Sequence, residues 1–169
     1  MRGKSGRAEL PLEIVEAVSP VQVGLLRGLF QDYAAALDVD LDFQDFDGEV
    51  ARLPGPYAPP EGRLLYAASG GESAGCVGLK KLAGDCCEMK RLYVCPAFRG
   101  RGVGGRLAAA VIEEARSIGY ARMRLDSLPG MEAAQALYRQ LEFAVIEPYY
   151  DNPVPGTLFM ELALRAPAS

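Results

Sequence analysis

Histidine and tryptophan are both absent from this chain of 169 residues. Without histidine, the acid or base that most enzymes use near neutral pH must be another side chain, a backbone group or water. The same absence removes a common zinc ligand, and the four cysteines include no C-x-x-C pair. We therefore expect no bound metal, and we expect free, mostly buried thiols at the four cysteines, which are Cys76, Cys86, Cys87 and Cys95.

Long apolar runs and an excess of basic residues are also missing. No stretch approaches the roughly 20 apolar residues of a membrane-spanning helix, and the basic N-terminus lacks the apolar centre of a signal peptide. The net charge of −4 disfavours a general nucleic-acid binder, because such a protein needs a basic face. These absences predict a cytoplasmic protein with neither a membrane nor a nucleic acid as its partner.

The chain is long enough, and with 50% hydrophobic residues apolar enough, for one compact domain with a real core. No shift in composition requires a second domain. We expect a disordered tail over residues 1–9 and a single domain over residues 10–166.

Hydrophobic periodicity and turn residues predict a mixed α+β order of elements. Ser19, Pro20 and Gln22 form a helix start with a capping box, and Gly119 ends a later helix. The strands are expected at residues 12–18, 63–68, 74–82, 86–95, 122–126, 143–147 and 157–164, and the helices at residues 20–37, from the glycines near 102 to Gly119, and at 131–141. This order contains an antiparallel meander and one central βαβ crossover.

Two connections precede the meander. The acidic stretch 38–49 is interpreted as a solvated connection, or as a negative rim that attracts a cationic amine. Its acids match several positions of a calcium-binding hand, but Phe43 occupies the position that requires glycine. The Pro/Gly-rich stretch 53–62 is expected to be irregular.

A glycine-rich segment, Arg99–Gly105, follows an apolar strand and opens an alanine-rich helix. The first N–H groups of a helix lack intrahelical partners, and the helix dipole makes that end locally positive. Glycines let a pyrophosphate approach those N–H groups, and neighbouring arginines add charge around it. The segment therefore predicts a nucleotide-like diphosphate as ligand.

A dinucleotide fingerprint is the competing interpretation of these glycines. Gly100, Gly102 and Gly105 satisfy G-x-G-x-x-G, and Asp126 ends the next strand where a ribose-binding acid would stand. However, the first glycine follows the strand by five residues, and an antiparallel meander does not suit a doubly wound sheet. A P-loop is excluded because no Gly-Lys-Ser/Thr follows the glycines.

The segment Arg99–Gly104 resembles the Arg/Gln-x-x-Gly-x-Gly/Ala loop of the GNAT superfamily of acyl-CoA-dependent N-acyltransferases. The resemblance extends over about residues 12–164 and includes a tyrosine-bearing helix that continues to Phe143. It implies a GNAT-like α+β fold in three layers, with a mixed, mostly antiparallel sheet and helices on both faces. It also implies that the sheet is splayed between the strand ending near Val94 and the parallel strand beginning near Arg122, with acetyl-CoA in the opening as cosubstrate.

The resemblance also carries roles to individual residues. It places the pantetheine arm along the backbone of Leu92, Tyr93 and Val94. It assigns the diphosphate to the glycine-rich segment, whose residues are Arg99, Gly100, Arg101, Gly102, Val103, Gly104 and Gly105. Tyr138 falls on the family's tyrosine near the thioester sulfur, where a phenol protonates the departing thiolate. Glu88 falls on the strand glutamate that some members use as a base.

Each of these two roles has a structural alternative, and the match has two departures. Tyr138 also fits a core tyrosine, and Glu88 also fits an exposed strand glutamate. Met131 stands where the family often has asparagine before the tyrosine helix, and Glu142 stands where it has glycine after that helix.

For the acceptor, the resemblance places substrate-lining segments around Tyr57 and around Tyr149 and Tyr150. The expected reaction is direct acetyl transfer from acetyl-CoA to a primary amine of a small molecule, with no metal. The alternatives are a non-catalytic acyl-CoA sensor and a protein or peptide acetyltransferase. A homodimer is an expectation from the family alone.

Overall fold

The computed structural model describes residues 11–165. Within that range, seven strands form one sheet and four α-helices pack on it. The strands are Leu12–Glu16 (β1), Arg63–Ser69 (β2), Glu72–Ala83 (β3), Cys86–Val94 (β4), Arg122–Ser127 (β5), Ala144–Ile146 (β6) and Leu158–Ala163 (β7). The helices are Pro20–Ala35 (α1), Phe46–Ala51 (α2), Val103–Ile118 (α3) and Glu132–Gln140 (α4). The tail expected over residues 1–9 lies outside the described residues.

The sheet is mixed and mostly antiparallel, as expected, with the strand order β1-β2-β3-β4-β5-β7-β6. Its parallel pair is β4 with β5, and helix α3 forms the crossover between them. Residues 86–88 of β4 pair with residues 122–124 of β5, and beyond Glu88 the two strands separate. The predicted splay between these strands is therefore confirmed.

Alternation along the central strands divides the core between the two faces of the sheet, because neighbouring strand residues point to opposite sides. Val77 belongs to the cluster beneath α3 and α4, whereas its neighbour Cys76 belongs to the cluster beneath α1 and α2. The sheet thus separates two helical layers. No helix within residues 11–165 is both long and apolar enough to cross a bilayer.

Helix α1 begins as the sequence predicts. The backbone N–H of Gln22 donates to Ser19 Oγ at 3.1 Å, and the Ser19 N–H donates to Gln22 Oε1 at 3.0 Å, which completes the capping box. The helix faces the sheet through Val23, Leu26 and Phe30, which are buried, whereas Leu25 is 41% exposed.

The segment between α1 and β2 is more ordered than expected. Helix α2 takes residues 46–49 of the presumed connection together with Val50 and Ala51, and residues 55–57 of the presumed irregular loop form a 3₁₀ turn. Phe46 and Val50 anchor α2 to the core, since both are buried. Aromatic and branched residues at this spacing give the short helix an apolar face.

The cysteines are free, and Cys76, Cys86 and Cys87 are buried, as predicted. Burial raises the pKa of the Cys87 thiol to about 12. Such thiols remain protonated and unreactive at neutral pH.

Candidate functional site

Strand β4 carries a bulge just where β5 diverges from it. Two residues of β4, Arg91 and Leu92, stand opposite the single residue Val77 of β3. Arg91 has a φ of 62°, in the left-handed region that residues other than glycine seldom occupy. A bulge bends its strand and redirects the residues after it, so it sets the direction in which the end of β4, still paired with β3, diverges from β5.

The Arg91 side chain holds this bulge in place. Its guanidinium donates to the Glu49 carboxylate, with 2.9 Å between Nε and Oε2, and the side chain is 2% exposed. The guanidinium also lies over the rings of Tyr33 and Phe46, at 5.7 and 5.0 Å. Burial lowers the pKa of Arg91, but the Glu49 carboxylate outweighs that effect and raises it, so the guanidinium stays charged.

The splay opens into a groove of about 510 Å³. Its walls are the end of β4, the glycine-rich segment, the last turn of α1 and the start of α4. The lining residues include Leu92, Tyr93, Val94, Phe98, Arg99, Gly100, Gly102, Val103, Gly104, Met131, Ala134 and Leu137. All three of the strand residues that the sequence analysis assigned to the pantetheine arm therefore lie along one groove.

The glycine-rich segment suits a diphosphate at one end of this groove. Gly102 precedes the first residue of α3, and no side chain of the described residues caps that helix. Gly100 and Gly102 have φ values of 79° and 75°, and a Cβ added at either would meet nothing within 4 Å. The first N–H groups of α3 are thus open to an anion.

Two residues of the predicted diphosphate set do not line the groove. Arg101 turns back, and its guanidinium carbon lies 5.5 Å from the centre of the Phe98 ring. Gly105 is the next residue of α3 after Gly104, and it faces α4. A Cβ added there would lie 3.7 Å from Leu137. Arg99 does line the groove, and its Nε donates to the Val94 carbonyl at 3.2 Å.

A second, smaller cavity of about 30 Å³ adjoins the groove. Both share Tyr33, Leu92 and Met131 in their walls. The other residues that line the cavity are Leu41, Gln44, Met89, Lys90, Arg91, Asp126, Ser127, Leu128 and Tyr138. It therefore lies between the two diverging strands, on the path from the groove into the sheet.

Tyr138 reaches this cavity from α4. Its ring packs edge-on against Phe143 and is 6% exposed, which agrees with the core tyrosine alternative as far as the ring is concerned. Among residues 11–165, no hydrogen-bond partner is found for its hydroxyl. Burial, followed by the nearby Tyr33 and Asp126, raises the pKa of Tyr138, so the phenol keeps its proton at neutral pH.

Glu88 is not the exposed strand glutamate of the alternative interpretation, because it is only 3% exposed. One carboxylate oxygen accepts a hydrogen bond from the Tyr149 hydroxyl at 2.6 Å. The other lies 3.6 Å from Lys80 Nζ and 4.0 Å from Lys90 Nζ. Glu88 is thus enclosed by its partners, and it is not among the residues that line either cavity.

Tyr149 and Tyr150 stand behind the wall of the smaller cavity and do not line it. The Tyr150 hydroxyl donates to Asp126 Oδ2 at 2.5 Å and accepts from the side-chain amides of Asn152, at 2.8 Å, and Gln44, at 3.2 Å. The rings of both tyrosines pack edge-on against Phe159 of β7. Both were predicted to line the substrate pocket. In the structure their hydroxyls instead contact the carboxylates of Glu88 and Asp126, and neither tyrosine lines either cavity.

Tyr57 lies elsewhere, and its assignment to the acceptor pocket is corrected. Its side chain is completely buried beneath Gly78 and packs edge-on against Phe30. The hydroxyl donates to Glu49 Oε1 at 2.9 Å. Tyr57 therefore supports the carboxylate that holds Arg91, because the 3₁₀ turn points the ring into the core.

Sequence reasoning missed several polar residues of the smaller cavity, among them Gln44, Lys90 and Asp126. Asp126 was considered only as a ribose-binding acid, yet its place at the carboxyl end of β5 indicated that it would lie at the opening between the strands. Where parallel strands diverge, their carboxyl ends face the opening. Lys90 and Gln44 carried no comparable sequence signal.

The chain is similar to known proteins in sequence and in fold. Residues 27–143 match the acetyltransferase (GNAT) family. An uncharacterized N-acetyltransferase of Schizosaccharomyces pombe is 40% identical over 138 residues, which cover 80% of this chain and 85% of that protein. The N-alpha-acetyltransferase RimI of Mycobacterium tuberculosis is 31% identical over 128 residues, covering 73% of this chain and 78% of that one. The structure of yncA from Salmonella typhimurium, solved with its cofactor acetyl-CoA, covers 94% of this chain and 96% of its own, with a TM-score of 0.68 and 20% identity.

Proposed function

Because this chain belongs to the GNAT family and is an N-acetyltransferase, we propose that it transfers the acetyl group of acetyl-CoA to the primary amine of a small molecule. One observation carries the proposal: a tyrosine hydroxyl and a carboxylate, from Tyr138 and Asp126, line one small cavity beside the groove. That pairing supplies an acid and a base at the junction where an acyl donor and an amine would meet.

The residues of the groove fit acetyl-CoA, which supplies a thioester carbonyl open to attack by an amine. Open helix N–H groups and the Arg99 guanidinium provide for the diphosphate. The β4 edge beyond Glu88, which β5 does not cover, provides backbone groups for the pantetheine arm. Apolar side chains such as Leu92, Phe98 and Leu137 exclude water from the rest of the groove.

We assign the base to Asp126 in preference to Glu88. Asp126 lines the cavity, whereas Glu88 is enclosed by Tyr149 and two lysines. An amine that binds at Asp126 as an ammonium must lose a proton before its nitrogen can attack, and the carboxylate receives that proton directly or through a water. The C–N bond then forms as the C–S bond breaks, and Tyr138 donates a proton to the departing thiolate.

The bulge at Arg91 contributes to acetyl transfer by orienting the backbone that follows it. It turns the backbone of Leu92 toward the junction of groove and cavity. A backbone N–H at this position is suited to the oxygen of the tetrahedral intermediate. The enzyme otherwise gains rate by holding amine and thioester in contact.

A protein N-terminus is the second candidate acceptor. The 31% identity to RimI, whose name gives it as an N-alpha-acetyltransferase, favours it. The cavity of about 30 Å³ favours a small acceptor instead, because Gln44, whose side-chain amide donates to the Tyr150 hydroxyl, forms part of its wall.

The test is release of CoA from acetyl-CoA by the purified protein against amino acids, polyamines, aminoglycosides and peptides with free N-termini. Turnover on one class of small amine supports the proposal, and turnover on peptides alone supports the second candidate. Binding of acetyl-CoA without turnover on any amine would instead identify a sensor.

A further inference from the structure

The charges around the smaller cavity do not balance locally. Lys80 and Lys90 share the single carboxylate of Glu88, at 3.6 and 4.0 Å. Lys80 is 26% exposed and has water for the rest of its hydration, but the Lys90 side chain is 10% exposed and lines the cavity. Lys90 therefore carries the surplus positive charge into the cavity.

Lys90 is also short of hydrogen-bond acceptors. An ammonium has three N–H donors. Among the described residues, one acceptor within reach is Gln44 Oε1 at 3.3 Å, and the Glu88 oxygen at 4.0 Å is too far for a hydrogen bond. Burial lowers the pKa of Lys90, in keeping with incomplete compensation of its charge.

Asp126 lines the same cavity and carries a negative charge that lacks a cationic partner among the described residues. Its carboxylate accepts from two neutral groups, the Tyr150 hydroxyl and the Asn152 amide, at 2.5 and 3.4 Å. Within residues 11–165, no Lys or Arg nitrogen pairs with it. The cavity thus presents one under-compensated anion and one under-compensated cation, with Gln44 and Tyr150 between them.

We propose that the acceptor is a free amino acid whose amine binds at Asp126 and whose carboxylate binds at Lys90. This inference rests on the proposed acetyl transfer and names its substrate class. The Gln44 amide now occupies the space between the charges, and its oxygen takes the place beside Lys90 that a ligand carboxylate would take. Gln44 ends a short 3₁₀ turn at Asp42–Gln44, so its side chain can be displaced without disturbing the sheet.

The reaction balances without a further reactant. The amino acid loses two protons from its ammonium group as the C–N bond forms, and the C–S bond breaks to release CoA as a thiol with one of them. The second proton goes to solvent by way of Asp126. The carboxylate is unchanged and serves recognition only.

The proposal separates free amino acids from peptide N-termini, because a peptide has a neutral amide where the amino acid has its carboxylate. A site built for a charged group discriminates strongly against a neutral analogue. The experiment compares kcat/KM for the common L-amino acids with kcat/KM for their amides, in the wild type and in Lys90→Met. The matched control is Lys80→Met, which removes the other lysine beside Glu88 but not the charge in the cavity.

The wild type should prefer at least one acid over its amide by roughly tenfold or more, and Lys90→Met should bring that ratio close to one. Lys80→Met should keep it. Lys90→Arg, which retains the charge, should keep a preference for the acid and shows that the site still folds. Binding of acetyl-CoA by each variant provides a second check on folding.

Equal use of acids and amides, or a preference that persists in Lys90→Met, would overturn this inference and leave the proposed function standing. Turnover only of polyamines or aminoglycosides would do the same. Turnover only of peptides would overturn this inference and would support a protein N-terminus as the acceptor. Binding of acetyl-CoA without turnover of any amine would overturn both proposals.

Discussion

The Tyr149 hydroxyl donates a hydrogen bond to the Glu88 carboxylate, with 2.6 Å between the two oxygens. This contact occupies one carboxylate oxygen of Glu88, which does not line either cavity. Burial and the Glu88 carboxylate together raise the pKa of Tyr149, which keeps the phenol protonated and the contact intact at neutral pH.

The two candidate bases should therefore respond differently to neutralisation. We expect Asp126→Asn to lower kcat/KM for the amine by roughly a hundredfold, because a positioned base contributes about 10²–10⁴ in rate. Glu88→Gln should cost less than about tenfold. The measurement is kcat/KM across pH for both variants. A larger loss of kcat/KM in Glu88→Gln than in Asp126→Asn would identify Glu88 as the base.

Tyr138→Phe should lower kcat by at least roughly tenfold and leave the Kd for acetyl-CoA nearly unchanged. The hydroxyl is the only group that the substitution removes, and its ring packing against Phe143 remains. Tyr120→Phe is the matched control, since that hydroxyl donates to the Glu61 carbonyl outside both cavities. Equal kcat in Tyr138→Phe and wild type would exclude the acid role.

Gly102→Ala should weaken binding of acetyl-CoA by roughly tenfold or more. A residue with a Cβ is strained by about 1–2 kcal/mol at a φ of 75°, and the new methyl group would stand before the first N–H groups of α3. Gly28→Ala in α1, where an added Cβ meets nothing within 4 Å, should bind acetyl-CoA normally. Calorimetric titration of both variants makes the comparison, and unchanged affinity in Gly102→Ala would contradict the diphosphate assignment.

Glu49→Ala should destabilise the protein by about 3–5 kcal/mol, because it leaves the buried Arg91 charge without its partner. Tyr57→Phe, which removes one hydrogen bond to the same carboxylate, should cost about 1 kcal/mol. Urea unfolding measures both. Similar free energies of unfolding for Glu49→Ala and wild type would show that the pair does not hold the bulge.

Stability should fall steeply in alkaline solution. Burial first, with neighbouring carboxylates, raises the pKa of Tyr57, Tyr149 and Tyr150 above the ordinary value near 10, and burial raises that of Cys87 to about 12. The folded state then keeps protons that the unfolded chain releases, so this stabilisation is complete below about pH 8 and is lost as pH rises through the folded values. Each such group contributes up to about 1.4 kcal/mol per pH unit.

Urea unfolding between pH 7 and 11, with near-ultraviolet phenolate absorbance as a second readout, checks this expectation. Phenolate should form together with unfolding, not before it. A free energy of unfolding that is constant up to pH 11 would rule out the buried, protonated tyrosines.

Local signals were enough for much of the fold. The capping box at Ser19 and the helix end at Gly119 each depend on neighbouring residues, and both were confirmed. Helix α2 was missed because its six residues have an acidic composition and gain their order from Phe46 and Val50, which pack on distant residues.

The sequence by itself determined the family, the order of the seven strands and of helices α1, α3 and α4, and the glycine-rich end of the groove, because local patterns of contiguous residues specify each of these. Only the tertiary structure decided which polar side chains share the cavity. Lys90 and Gln44 are 46 positions apart in the chain, and Tyr150 and Asp126 are 24 apart. Their meeting depends on the strand splay, the Arg91 bulge and the return of the chain after β6, and no local pattern encodes such long-range packing.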